Sequence, residues 1–216
     1  MFDNRIHAGQ LLAEKLAELS LKTPYILAVP RGGIVVASPI AAKLQAKMGV
    51  LIAKKIGHPL NPEVAIGAIM PDGSLIHDNQ YVSGIGITQE SFDEITAKAR
   101  EIFDQQVKAY ESLIIKNHEV KGRDIIVVDD GIATGYTMRA AVKWLQKWNP
   151  ASITVAVPVA PSDVAHKLRE EQAEVMCIEE PDVFTAVGTY FKEFNQMTDH
   201  EALEYHRLAP NAIVRL

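Results

Sequence analysis

Ile125-Ile126-Val127-Val128-Asp129-Asp130-Gly131-Ile132-Ala133-Thr134-Gly135-Tyr136-Thr137 is the stretch on which the reading turns. Its first four residues are apolar on consecutive positions, so both faces of the strand they form must be covered, as in a parallel sheet. Two carboxylates stand at the carboxyl end of that strand. A small, hydroxyl-bearing loop containing glycine then opens onto a helical stretch, Met138 to Lys147. Successive N–H groups in such a loop form a nest for an anion, and the helix dipole strengthens it. Thr134 and Thr137 add hydroxyl donors, while Gly135 permits close backbone approach. Adjacent carboxylates would repel a phosphate, so they belong a few Å away from it, accepting hydrogen bonds from hydroxyls or helping to hold a metal. A sugar phosphate satisfies both halves: phosphate in the nest, vicinal ribose hydroxyls on Asp129 and Asp130.

Outward from this stretch, short apolar runs alternate with helical patterns. The runs are Tyr25–Val29, Val50–Ala53, Ile153–Val157 and Val175–Ile178; helical stretches lie at about 34–48, 89–116, 135–148 and 162–172. The longest carries Phe92, Ile95, Ala99, Ile102, Phe103, Val107 and Tyr110 at three- and four-residue spacing, with Ser91-x-x-Glu94 as a capping box. Residues 65–77 hold two apolar segments around Pro71-Asp72-Gly73, which is hairpin turn chemistry. This alternation predicts an α/β fold, an open and mostly parallel sheet with helices on both faces, plus the hairpin. Ligands of such sheets bind beyond the carboxyl ends of the strands. The chain reads as one domain: a core with an N-terminal helix over 1–179, and a C-terminal hood or flanking segment over 180–216 with a polar helix near 198–207.

The signature of apolar strand, two acids and Thr-Gly-x-Thr loop resembles the type I phosphoribosyltransferase family. The resemblance implies that Ala133, Thr134, Gly135, Tyr136 and Thr137 bind the 5-phosphate of phosphoribosyl pyrophosphate, with Asp129 and Asp130 on its 2- and 3-hydroxyls. Val29-Pro30-Arg31-Gly32-Gly33 resembles the family's pyrophosphate loop, and Ala53-Lys54-Lys55-Ile56-Gly57-His58 its basic flexible loop. RGG…NPEVAIGA with the C-terminal YFKEFNQMTDHE resembles a subgroup whose acceptor is generally not assigned. On these grounds Asp129, Asp130, Arg31 and Lys55 are the expected catalytic residues. Gly32, Gly33, Lys54 and His58 are expected at the substrate, with Phe184 stacked on a flat acceptor. Two phosphates on the leaving group imply Mg²⁺, bound mainly through substrate oxygens, with Asp129 and Asp130 acting on it indirectly. The family's 6-oxopurine users commonly have an acid before the Thr-Gly pair; Ala133 stands here, and adenine-, orotate- and regulator-type loops fit better. Glu179, Glu180 and Asp182 are candidate bases by position, and the loop at 56–63 is the candidate lid.

Composition narrows the alternatives. The 216 residues are 48% hydrophobic with one cysteine, Cys177, which excludes an internal disulfide framework and a thiolate zinc site. A net charge of −5 argues against a protein held to nucleic acid by phosphate contacts. No apolar run approaches the ~20 residues that span a bilayer, and early charges speak against a signal peptide. The expected setting is the cytoplasm, the expected partner a small-molecule acceptor, and the resemblance implies a homodimer. Gly84-x-Gly86 lacks the third glycine of a dinucleotide fingerprint, and no Walker A or Gly-x-Ser-x-Gly sequence occurs. The rival from another class is a non-catalytic sensor that binds phosphoribosyl pyrophosphate and controls a partner.

Overall fold

A computed structural model describes residues 1–208, with the backbone alone at residues 62, 63 and 208. The chain runs α1 (Arg5–Ala17), β1 (Pro24–Ala28), α2 (Gly32–Leu44), β2 (Lys47–Val50), β3 (Lys54–His58), β4 (Asn61–Ile69), β5 (Leu75–His77), α3 (Asn79–Gly84) and α4 (Gln89–Tyr110). It continues through β6 (Asp124–Val128), α5 (Tyr136–Gln146), β7 (Ser152–Val159), α6 (Ser162–Glu170), β8 (Glu174–Glu179) and α7 (Asp199–Leu208).

Five strands form one parallel sheet in the order β2-β1-β6-β7-β8. Period-two geometry sends alternate side chains of each strand to opposite faces. Ile26, Ala28, Ile126 and Val128 pack with α1, α2 and α4, whereas Tyr25, Leu27, Ile125 and Val127 pack with α5 and α6. This is why the strands are apolar at every position. The chain leaves β1 toward β2 on one side and, later, leaves β6 toward β7 on the other, so the crevice between β1 and β6 is the switch point of the sheet. Ala28 pairs with Val128. Residues 30–33 and 129–135 therefore leave the sheet at the same level and face each other.

The remaining strands form a separate three-stranded antiparallel sheet, β3-β4-β5. The turn at Pro71–Gly73 joins β4 to β5 as its sequence predicts, with Gly73 N–H donating to Met70 O at 2.8 Å. Several boundaries differ from the sequence reading. The second core strand is 47–50 rather than 50–53, because α2 stops at Leu44 with Gln45 in the left-handed region, φ 49°, where no glycine marks the stop. Residues 56–63 are not a loop: they span the β3–β4 hairpin, whose tip Leu60 is 90% exposed. Lys54 and Lys55 open β3, so the segment that resembles the basic flexible loop is a strand. α4 is capped by Thr88, whose hydroxyl accepts from Ser91 N–H, instead of by a Ser91–Glu94 box, and it ends at Tyr110.

The amino end and the segment after β8 are zipped together. Phe2 N–H donates to Tyr190 O at 2.7 Å, Lys192 N–H to Phe2 O at 2.8 Å and Glu193 N–H to Asp3 O at 3.0 Å. Phe2, Ala8 and Phe191 form a small cluster of their own, flanked by Val187, Tyr190 and Phe194. Beyond it α7 docks on α2, with Ala202 and His206 buried. The segment after β8 is thus held by the first residues of the chain as well as by α2. Residues 209–216 of the expected segment lie outside the described residues.

Candidate active site

The loop after β6 turns sharply into α5. Gly135 precedes the helix with φ 70°, a conformation costly for a residue with a Cβ. Ala133 and Thr134 are exposed, so the turn is not covered by packed side chains. Together with Asp129, Gly131 and Lys55, residues 132–138 line a cleft of about 200 Å³. Its floor is the amino end of α5, where unpaired N–H groups and the helix dipole favour an anion. Lys55 reaches the cleft from the neighbouring sheet. Lys54, next to it, does not line the cleft; burial and the Lys55 charge lower its pKa.

Opposite stands the loop after β1. Gly33 presses on the start of the other loop: a Cβ there would lie 2.6 Å from Val128 O and 3.0 Å from Asp129 Cα. A side chain on Gly32 would collide with the Asp130 carboxylate. The Pro30–Arg31 peptide is cis. The two clashes explain the Arg-Gly-Gly sequence, since only glycine lets the two loops close on one another.

The two acids diverge. Asp129 is half-buried, lines the cleft, and accepts from the Asp130 N–H at 2.8 Å. Desolvation by the surrounding protein raises its pKa well above the usual carboxylate range, and the neighbouring Asp130 charge adds to the shift. Asp130 instead leans over Gly32 to Arg5, whose Nε donates to Oδ2 at 2.7 Å. Arg5 also donates to Asn195 O at 3.0 Å, and its guanidinium carbon lies 3.9 Å from the Phe194 ring centroid. Arg31, exposed at the mouth, donates from Nε to Asp199 Oδ1 at 2.9 Å and from Nη1 to Met197 O at 2.9 Å. Tyr110 Oη donates to the same Asp199 oxygen at 2.8 Å.

The structure therefore brings Lys55, Asp129 and residues 133–137 together around one cleft, with Asp130 beside Asp129 and with Arg31, Gly32 and Gly33 across the switch point. It leaves out three residues that the sequence reading includes: Lys54, His58 and Phe184. His58 Nδ1 accepts from Leu60 N–H at 3.1 Å, closing the hairpin tip, and Phe184 stacks on Tyr190 with centroids 5.9 Å apart. Neither lines the cleft. Of the candidate bases, Glu180 is paired with Arg169 and Asp182 accepts from Ser162 Oγ. Sequence reasoning misses Arg5, Tyr110 and Asp199, because their hydrogen bonds at the site join residues 89 to 168 positions apart. It misses Phe194 for the same reason, since that ring meets the site only through Arg5.

Among the described residues no group of three or more His, Cys, Asp or Glu side chains could hold a metal alone. The donor set fits a different arrangement. With Asp130 committed to Arg5, Asp129 is the one carboxylate among the described residues that lines the cleft, which suits a hard cation that arrives on substrate oxygens.

Comparison with known proteins agrees on the kind of domain. Residues 3–193 match the family model described as the phosphoribosyl transferase domain. Two Mycobacterium tuberculosis proteins, from strains H37Rv and CDC 1551, bear the provisional name phosphoribosyl transferase; each is 35% identical over 206 residues, covering 95% of this chain and 46% of the relative. The chain thus spans about half the length of the curated relatives it matches. The crystal structure of TT1426 from Thermus thermophilus superposes with a TM-score of 0.80 at 37% identity, covering 94% of this chain and 96% of that one. The AQ2163 protein from Aquifex aeolicus, at 13% identity, covers 85% of this chain and 76% of its own, and shares the fold with a TM-score of 0.52.

Proposed function

This chain belongs to the phosphoribosyl transferase domain family, and from that premise we propose that it moves the 5-phosphoribosyl group of phosphoribosyl pyrophosphate, with Mg²⁺, onto a nitrogenous small-molecule acceptor. The observation that carries this reading is the pairing at the switch point: an open anion nest beside Asp129 on one strand end, and Arg31-Gly32-Gly33 on the other. The nest takes the 5-phosphate, Asp129 takes one ribose hydroxyl and Asp130 the other through Oδ1, the oxygen it does not use for Arg5, and Arg31 with Lys55 takes the diphosphate. Breaking the C1–oxygen bond leaves positive charge on the ribose ring and negative charge on the departing diphosphate. The residues act by positioning and electrostatics, with Asp129 near the ring and the two cations at the leaving group. Mg²⁺, when bound, neutralises the diphosphate, with Asp129 and Asp130 influencing it through the substrate. The β3–β4 hairpin, with its exposed tip, is the element placed to close over the cleft and exclude water.

A homodimer in the cytoplasm completes the proposal; no helix of the described residues is long and apolar enough to cross a membrane. The test is pyrophosphate release from phosphoribosyl pyrophosphate and Mg²⁺ across a panel of purine, pyrimidine and other nitrogen acceptors. Release with one acceptor, abolished in Asp129→Asn/Asp130→Asn, supports a transferase. Tight ligand binding without release for any acceptor turns the reading into a sensor.

A further inference from the structure

Arg31 is the residue assigned to the diphosphate, yet its guanidinium already holds an anion. Asp199, the first residue of α7, accepts from Nε at 2.9 Å, and Met197 O accepts from Nη1 at 2.9 Å. Asp199 takes the Nε N–H and Met197 O takes an Nη1 N–H, so two of the donors with which an arginine grips a phosphoryl group are already in use. The pair is no buried strut, since the side chains are 47% and 34% exposed. α7 also does not depend on it for docking: Ala202 is fully buried, His206 Nε2 lies 3.0 Å from Met48 O, and Ser38 Oγ donates to Tyr205 O. Asp199 has a second donor in the Tyr110 hydroxyl at 2.8 Å. If Arg31 turns to another anion, Asp199 keeps that hydrogen bond and is not orphaned.

We propose that Asp199 is a resident counter-ion for Arg31, displaced when a diphosphate binds and returning as pyrophosphate leaves, so that it lowers the site's affinity for diphosphates and hastens product release. This deepens the reading above and rests on it, because it takes Arg31 as the diphosphate ligand. The logic is competition: a ligand that must displace an internal anion binds more weakly by the fraction of time the anion is in place. Diphosphate wins because it carries more charge than one carboxylate. Ribose 5-phosphate, held by the nest and the two acids, makes no contact with Arg31 and is indifferent to Asp199.

The experiment is calorimetric titration of inorganic pyrophosphate with Mg²⁺, and separately of ribose 5-phosphate, into the wild type, Asp199→Asn and Asp199→Glu, with thermal unfolding recorded for each. Removal of a partly exposed, charge-assisted pair is expected to tighten pyrophosphate binding about three- to tenfold in Asp199→Asn. Asp199→Glu, which keeps the charge, is expected to stay near wild type, and ribose 5-phosphate affinity to stay constant throughout. Should the asparagine variant fail to fold, Asp199→Ser, a residue favoured at helix starts, carries the same expectation. Pyrophosphate binding that is unchanged or weaker in the neutral variants overturns the inference, as does a parallel change for ribose 5-phosphate. A wild type that binds neither probe overturns the proposed function itself.

Discussion

Residues 125–137 and the joined segments 2–5 and 190–199 both supply groups to the region between β1 and β6, but they do it by opposite means. The first is a continuous strand–loop–helix unit whose shape follows from local chemistry: β-branched residues, then acids, then glycine at φ 70° and the start of α5. The second is assembled from pieces far apart in sequence, with residues 2–3 hydrogen-bonded to 190–193, Arg5 on Asp130 and Asp199 on Arg31. One lines the cleft. The other supplies partners for Asp130 and Arg31. The shape of a strand–loop–helix turn can therefore be encoded in a dozen residues, while what pairs the charges around it is encoded in the tertiary fold.

The sharpest way to break the comparison is at the acids. Asp129→Asn/Asp130→Asn is expected to weaken phosphoribosyl pyrophosphate by about 3–4 kcal/mol, two to three orders of magnitude, since it removes two charge-assisted acceptors; calorimetry reads it directly. Burial and the adjacent carboxylate already penalise the Asp129 charge, so Asp129→Asn alone is expected to melt at a higher temperature than wild type while binding worse. Next come the joined ends. Phe191→Ala empties the small aromatic cluster and is expected to lose about 3 kcal/mol in urea unfolding. Gly33→Ala attacks the loop contact instead. Its methyl meets the backbone at the end of β6, which cannot yield cheaply, and about 2 kcal/mol is the expected loss. The smallest effect is a pH dependence at α7. Burial lowers the pKa of His206 below its unfolded value near 6.5, so the fold favours the neutral ring. That contribution is complete above pH 6.5 and falls away as pH drops below it toward the lowered folded value, seen as a declining melting temperature that His206→Gln flattens.

Much of this is legible in the sequence, for identifiable reasons. The parallel sheet follows from strands apolar at every position, and β1 and β6 fall within a residue of where their side chains predict. The cleft follows from the loop after β6. β2 is shifted because Gln45 adopts a left-handed conformation that glycine would have announced. β3 is invisible because Lys54, Lys55 and Gly57 are poor strand formers, and its strand exists through the ladder to β4. Arg5 and Asp199 carry no local signal at all: one lies on a helix opened by an ordinary asparagine cap, the other in the first turn of a polar helix.

The zipper between residues 2–3 and 190–193 has a practical consequence. Met1 adjoins a backbone ladder, and the helix that follows delivers Arg5 to Asp130. A purification tag or fusion partner joined at Met1 would abut that ladder, a few residues before the arginine that holds Asp130. Assays on such material would read the tag's crowding as a property of the protein, and proteolytic removal of the tag before binding or kinetic work is the direct remedy.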